Sequence, residues 1–473
     1  MAKLILTDLI KDTGAEIKLK GPTEFTAVGT DTRKDLSGQL FVALKGDQYD
    51  AHDYLLQAAE KRAAGLLIHK WDSALEKYSG KLSVLLVKDT LNALQGIGHG
   101  HRQRMKAKII GLTGSNGKTT TKEFTAAIIS SFHPTHWNTG SLNNHWGVPL
   151  TLLQIEKNHE FAVIEMGMNH AGEISKLVQI AEPDIVVCTM VGRSHIEFFG
   201  TVEKIAAAKE EIYETASAKA TRIYNLDDKM TVKMYEKALK KFNQSPVLTF
   251  SSQNAVADVH FKIENFSLKE LHIKGFISGE SGEARVPVFG KHNLTNLLAA
   301  ATLSLAAGLD PQEIWQGLTK CKTNWGRNQW LETKHGVQIL FDAYNANPDS
   351  MKALLNNLEG IKIAGKKIGV FGQMGELGNL SKELHEQLGE MIGQSDMNEV
   401  FFYGADCEAF KAGIKRTNSA MKLMAQGSYS EDLGKKLKSL AVNGDLVIVK
   451  GSRSAKMEKI ILPLEPIGFS EKY

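Results

Sequence analysis

Residues 108–129, KIIGLTGSNGKTTTKEFTAAII, set an apolar run of strand length, a glycine-rich turn and an amphipathic helix in direct succession. A strand that feeds a helix through glycines lets backbone N–H groups and the positive end of the helix converge on one anion. In that arrangement Gly114, Ser115, Asn116, Gly117 and Thr120 wrap the phosphates of a nucleotide. Lys118 reaches the β- and γ-phosphates, and the Thr119 hydroxyl is a ligand for Mg²⁺. The spacing is a variant one, because Leu112 stands where the common phosphate-binding loop has its first glycine. The competing reading, a glycine turn with a solvated lysine, has to obtain strand, glycines, lysine and two threonines in this order by accident.

The pattern continues on both sides. With 473 residues and roughly 150 residues per domain, the chain divides into about three units. Residues 1–97 mix short apolar runs (LFVAL at 40–44, GLLIH at 65–69) with helical stretches and read as a small α/β domain. The polar, basic segment HGHRQRMKAK reads as a bridge into a central domain spanning 98–323. There FAVIEMG, DIVVCTMV and TRIYNLD alternate with helical segments, as in a mostly parallel sheet covered on both faces. Residues 256–289 are strand-like with turn signals and are expected to extend that sheet in antiparallel fashion. A third domain, 324–473, repeats the doubly wound pattern with strands at 368–372, 399–404 and 445–451.

Composition narrows the function. Hydrophobic residues make up 42% and charged residues 23%, an ordinary globular balance. The 57 basic against 53 acidic residues leave no cationic excess for nucleic acid or anionic lipid. Cys188, Cys321 and Cys407 are odd in number and far apart, which fits free thiols in a reducing cytosol. Asp8, Lys11 and Asp12 interrupt the apolar runs of the N-terminal stretch, so neither a signal peptide nor a membrane span is expected there, and the chain is placed in the cytoplasm.

Several polar groups are expected at the carboxyl ends of strands, where open α/β sheets put their ligand sites. Glu165 follows FAVI and can hold Mg²⁺, and His195 follows DIVVCTM. Lys209, in the helical stretch IAAAKEEIY, reads on its own as a solvated lysine. Asn293 and Asn296 fall on one helix face and can pair with adenine, with helix capping by Asn293 as the rival reading. Arg327 is suited to neutralising a transferring phosphoryl group, and Asp342, Tyr344, Asn345 and Asn347 to reaching ribose or substrate. The loop from 138 to 149 is too polar for a core, so Asn138, Thr139, Ser141, Asn143 and Asn144 are expected to wall the substrate cleft. In the first domain Thr30, Asp31, Thr32, Arg33 and Lys45 form a polar group in which Arg33 and Lys45 can take a diphosphate, with solvated surface charge as the alternative.

Taken together, TGSNGKTT, EMG, SHIEFFG, AAAKEEI, GKHNLTN, DAYNANPDSM and VKGSRSAKMEKII resemble, in order and over the whole chain, the Mur ligases of peptidoglycan precursor synthesis. The resemblance implies an α/β protein of three domains: a small N-terminal domain for a UDP-linked substrate, a central P-loop ATPase-type domain and a C-terminal Rossmann-like domain. It implies an ATP- and Mg²⁺-dependent ligase that activates a carboxylate as an acyl phosphate and joins it to an amine, acting as a monomer. It also assigns Lys209 a different state, a lysine carbamylated by CO₂ that supports a second Mg²⁺ with His195. Glu165 and Thr119 then match the first metal's ligands, and Asn293, Asn296, Arg327 and Asp342 match residues around ATP. The YNANP sequence resembles the member that adds D-alanyl-D-alanine to a UDP-N-acetylmuramoyl tripeptide, while the DNPR sequence of the diaminopimelate- or lysine-adding member is absent. The diaminopimelate- or lysine-adding Mur ligase, folylpolyglutamate synthase and a catalytically silent nucleotide-binding relative are the competing readings. Phe198 departs from the family, standing where many relatives carry glycine.

Overall fold

The computed structural model describes residues 3–46, 49–140, 142–242, 245–418 and 420–470. Its centre is the strand Lys108–Thr113, which pairs in parallel with Phe161–Glu165 on one side and Ile185–Cys188 on the other. Alternate side chains of these strands enter different cores. Ile110, Leu112, Val163, Ile185 and Val187 face one layer, and Ile109, Ala162, Ile164, Val186 and Cys188 face the other. Both faces are therefore dry, which is why the strands read as unbroken apolar runs.

Nine strands complete this sheet. From the central strand the order runs through Phe161–Glu165 to Thr135–Trp137 at one edge. In the other direction it passes Ile185–Cys188, Thr221–Asn225 and Val247–Ser251. It ends in the antiparallel strands Val259–Phe266, Leu271–Ile277 and Glu280–Val286, the extension expected for residues 256–289. Helix Asn293–Ala307 packs on this part of the sheet and against helix Lys118–Ser130.

The C-terminal sheet has six strands, with Leu446–Lys450 between Gln338–Asp342 and Lys367–Gly372, all parallel. Only Gln329–Glu332 runs against its neighbour. It too is buried on both faces, by two separate apolar clusters. The first domain carries a five-stranded sheet, in which Glu16–Leu19 is antiparallel to the rest, again between two cores. Among the described residues no helix is long and apolar enough to cross a membrane.

The polar bridge expected near Gly98 is helical instead. Helix Thr90–Arg104 begins in the first domain, capped by the Asp89 carboxylate on the Asn92 N–H, and continues without a break through His99–Arg104. Its glycines let two other elements approach. A Cβ on Gly96 would lie 2.5 Å from the Asp12 carbonyl oxygen, and one on Gly98 2.9 Å from both Cα and Cβ of Pro149 in the central domain. Arg104 closes the contact with 2.7 and 3.1 Å bonds to the Asp12 carboxylate. The HGHRQR polarity that suggests a linker is thus the polar face of a helix shared by two domains.

Alanine in place of glycine inside a helix normally stabilises by about 1 kcal/mol. At Gly98 the contact with Pro149 reverses that sign, because overpacking a tight interface costs about 1–3 kcal/mol. Gly98→Ala is expected to lower the denaturation midpoint, and a raised midpoint in urea unfolding would show that the two helices can separate freely.

Candidate active site

The parallel register brings three strand ends to one edge. Glu165 is level with Leu112, and Cys188 with Thr113, so the loops that follow open side by side. The phosphate loop leaves Thr113 and enters helix Lys118–Ser130 at Gly117, whose φ of +81° is left-handed. A side chain there would strike Asn296, whose Oδ1 lies 2.1 Å from the position of a Cβ. Lys118 folds back and donates to the Gly114 carbonyl at 2.7 Å, and the Thr189 hydroxyl donates to the Asn116 carbonyl at 2.7 Å. Burial pushes the Lys118 pKa down, with Glu165 opposing and Arg327 adding to the shift. A free Lys118 in this setting is primed to gain an anionic partner.

Ser115, Asn116, Gly117, Lys118, Thr119 and Thr120 line a cleft of about 310 Å³, completed by Asn293, Asn296, Arg327 and Asp342. The central and C-terminal domains both contribute, and they touch through polar contacts at this point. Arg327 donates to the Thr119 hydroxyl at 3.0 Å, with its guanidinium 4.3 Å from the centre of the Tyr344 ring. The Asn347 amide donates to the Asn116 side-chain carbonyl at 2.8 Å. Asp349 accepts the Arg193 N–H at 3.1 Å. Asp342 and Lys450 are cross-strand neighbours in register and form a tight ion pair, while Asp342 also accepts the Asn328 N–H at 3.1 Å.

Asn293 does not cap its helix, since the residue at that position is His292. Its amide donates to the Phe289 carbonyl at 2.7 Å and its oxygen accepts from Asn296 at 2.8 Å, so the two asparagines are interlocked. Asn345 and Asn347, expected at ribose or substrate, lie on the walls of this cleft.

Beneath the loop sit the groups expected to hold metal. Glu165 is 1% exposed; its Oε1 accepts from the Asn143 amide at 2.7 Å, and its Oε2 is buried with no hydrogen-bond partner among the described residues. A buried carboxylate oxygen left open beside a phosphate loop suits a divalent cation. His195, in the left-handed region with φ 62°, has Nδ1 2.8 Å from the Glu376 carboxylate of the C-terminal domain, at ion-pair distance but without the alignment of a hydrogen bond. That pairing holds the Glu376 carboxyl below its usual range. Lys209 is 1% exposed, not solvated, and its pKa is lowered to about 7, first by burial and then by the charge of Lys118.

The loop after Trp137 only partly matches its expected role as a cleft wall. Asn138 is 1% exposed, accepts the Glu165 N–H at 3.0 Å and donates to the Leu142 carbonyl at 3.1 Å. Asn143 is turned onto Glu165, and Asn144 accepts the Gly147 N–H at 2.9 Å at the start of the next helix. The asparagines face inward because an amide can answer backbone and carboxylate groups at once. Thr139 does line an open depression, with Trp137 and Trp146; Ser141 lies outside the described residues.

In the first domain, Thr30 and Asp31 line a cleft of about 320 Å³ against Leu142 and Trp146 of the central domain. Thr32 is turned away onto Gln57 at 2.8 Å. Arg33 and Lys45 do not reach this cleft. Arg33 forks onto the Asp31 carboxylate at 2.8 and 2.9 Å, holding its pKa down to about 2, and Lys45 is exposed, bridged through its backbone to Asp50. The short Asp31-Thr32-Arg33 spacing permits that local pair, which competes with an external diphosphate.

Three groups at the site carry no expected role in the sequence reading. His292 lies between the amides of Asn357 (2.9 Å) and Asn328 (3.1 Å), its pKa lowered to about 4 by burial. It stands within GKHNLTN, and Lys450 within VKGSRSAK, so local sequence held a signal for both. Glu376 has none, because only the packing of the C-terminal domain brings it to His195.

Comparison with known proteins agrees with this geometry. Residues 112–304 match the Mur ligase middle domain, and residues 326–453 the Mur ligase, glutamate ligase domain. A UDP-N-acetylmuramoyl-tripeptide--D-alanyl-D-alanine ligase of Bacillus subtilis is 34% identical, with 97% of each chain covered. A crystal structure of MurF from Acinetobacter baumannii superposes with a TM-score of 0.87 at 29% identity, covering 98% of this chain and 99% of that one. The MurF ligase of Thermotoga maritima in complex with ADP gives a TM-score of 0.76 at 26% identity, over 93% of this chain and 96% of that one. With the phosphate loop, the buried carboxylate and the two-domain cleft all in place, the chain belongs to the Mur ligase family.

Proposed function

We propose that this protein joins the amino group of D-alanyl-D-alanine to the terminal carboxyl of a UDP-N-acetylmuramoyl tripeptide, with ATP converted to ADP and phosphate, and that it does so in the cytoplasm. The observation that carries this reading is the cleft built jointly by the phosphate loop and the C-terminal domain, with Arg327 on Thr119 and Asn347 on Asn116. The relatives that share the full length of the chain, first domain included, supply the choice of substrates.

In the first step a carboxylate oxygen of the tripeptide attacks the γ-phosphorus in line. The new P–O bond forms as the bond to ADP breaks, giving an acyl phosphate. Lys118 and Arg327 line the cleft and would spread the charge that develops on the phosphates. Thr119 and Glu165 would hold Mg²⁺, with His195 and Lys209 at a second position, where the ions supply further charge neutralisation. In the second step the free amine attacks the acyl carbon, the C–O bond to phosphate breaks, and the amine proton is released. Closure of the domains over the cleft keeps water from the acyl phosphate.

Lys209 fits carbamylation on physical grounds. A buried ammonium beside Lys118 is doubly unfavourable, and a pKa of about 7 leaves much of the amine neutral and able to attack CO₂. The carbamate has the opposite charge, which Lys118 then favours. Because the folded pKa is depressed from 10.5 to about 7, the unfolded chain binds more protons in between, so the unmodified lysine makes stability rise with pH across that window.

Phosphate release from Mg-ATP with UDP-N-acetylmuramoyl tripeptide is expected only when D-alanyl-D-alanine is present, with the pentapeptide seen by mass spectrometry. Lys118→Ala should lower turnover by about 10²–10³-fold. Release driven equally by single amino acids would reassign the amine. For Lys209, protein equilibrated with ¹³C-bicarbonate at about pH 8, above the lysine pKa, should show a carbamate carbon resonance that Lys209→Gln lacks. Its absence from the wild-type protein would leave Lys209 a neutral amine.

A further inference from the structure

Lys122 lies one helical turn beyond Lys118 on helix Lys118–Ser130, is 0% exposed, and takes no part in the steps described above. Its ammonium donates to the Asn138 carbonyl at 2.5 Å and pairs with the Glu123 carboxylate at 2.9 Å. Taking an ammonium out of water costs several kcal/mol, so its partners are held firmly. Asn138 is the pivot of the segment that surrounds Glu165. Its side chain takes the Glu165 N–H and the Leu142 carbonyl, and the segment then presents Asn143, whose amide binds Glu165 Oε1 and whose carbonyl accepts the Gly167 N–H at 2.7 Å. The remaining Glu165 oxygen is buried and has no hydrogen-bond partner among the described residues.

We propose that Lys122 is a positioning residue for Glu165. It ties the phosphate-loop helix to Asn138, and through the contacts of Asn138 and Asn143 fixes where the open carboxylate oxygen stands relative to Lys118 and Thr119. The inference rests on the reading of Glu165 as a metal-holding group, and it explains a buried lysine on the same helix stripe as Lys118. The cation fits this task because its donor is strong, its stem reaches across the helix–loop gap, and Glu123 neutralises its charge locally.

The test measures Mn²⁺ binding by electron paramagnetic resonance in the presence of an ATP analogue with a methylene bridge between the β- and γ-phosphates, and binding of that analogue without metal by calorimetry. Lys122→Met is expected to weaken Mn²⁺ roughly 10-fold or more, the scale of lost support for a ligand, with metal-free analogue affinity unchanged within about twofold. Asn143→Ala should do the same, and the double variant should fall short of the product of the two losses, as expected for residues in one network. Unchanged Mn²⁺ affinity in Lys122→Met, whatever its melting temperature, overturns the proposal. So does an equal loss of metal-free affinity, which would make Lys122 a support for the whole loop. If Lys122→Met does not fold, Lys122→Gln, neutral and shorter, is read against the same criteria. Glu165→Gln is the control: if it binds Mn²⁺ as the wild type does, the metal reading of Glu165 fails separately from the role of Lys122.

Discussion

Three lysines of the central domain, Lys118, Lys122 and Lys209, are drawn out of water to different degrees, and the site is organised by how each charge is answered. An isolated buried ammonium is worth several kcal/mol of penalty, so each must find a partner, change its protonation or await a ligand. Lys122 has a carbonyl and a carboxylate. Among the described residues, Lys118 has only a loop carbonyl as hydrogen-bond partner, in a place where the helix end is itself positive, which suits phosphate oxygens. Lys209 has its pKa lowered towards neutrality. The same low-dielectric setting that makes these cations costly makes them effective against charge that develops during phosphoryl transfer.

Parallel sheet topology delivers these groups to one place. Strand ends in register set Glu165, the phosphate loop and the turn to His195 along a single edge, and the C-terminal sheet offers Asp342 and Lys450 as cross-strand neighbours on the opposite wall. Neither domain makes the cleft alone. Across it run polar contacts such as Arg327 on Thr119 and Glu376 on His195, beside an apolar one where Phe289 enters the C-terminal core, and polar contacts of this kind can be exchanged for ligand contacts.

Much of this was legible along the chain wherever meaning is local. The strand–glycine–helix run declared the phosphate loop, and unbroken apolar runs declared doubly covered sheets, because both depend on neighbours in sequence. What could not be read was the direction a polar side chain takes. Asn138 and Asn143 look like cleft residues until Glu165 is placed beside them. Lys209 looks solvated in AAAKEEI until a sheet is packed on its helix. Glu376 carries no pattern at all, since its partner is 181 positions away in numbering and in another domain. Arg33 shows the opposite failure, where a local ion pair with Asp31 captures a cation that composition alone offered to a ligand.

Helix Thr90–Arg104 bears on how such a protein can be divided. Its first turns carry Ala93, Leu94 and Ile97 into the core of the first domain, where Leu150 and Leu153 of the central domain also pack, and its last turns lie against Ile155 and Ala181 through His101 and Arg102. The N-terminal and central units therefore share a beam rather than a hinge. A cut at residue 97 or 98 would bare apolar surface on both fragments.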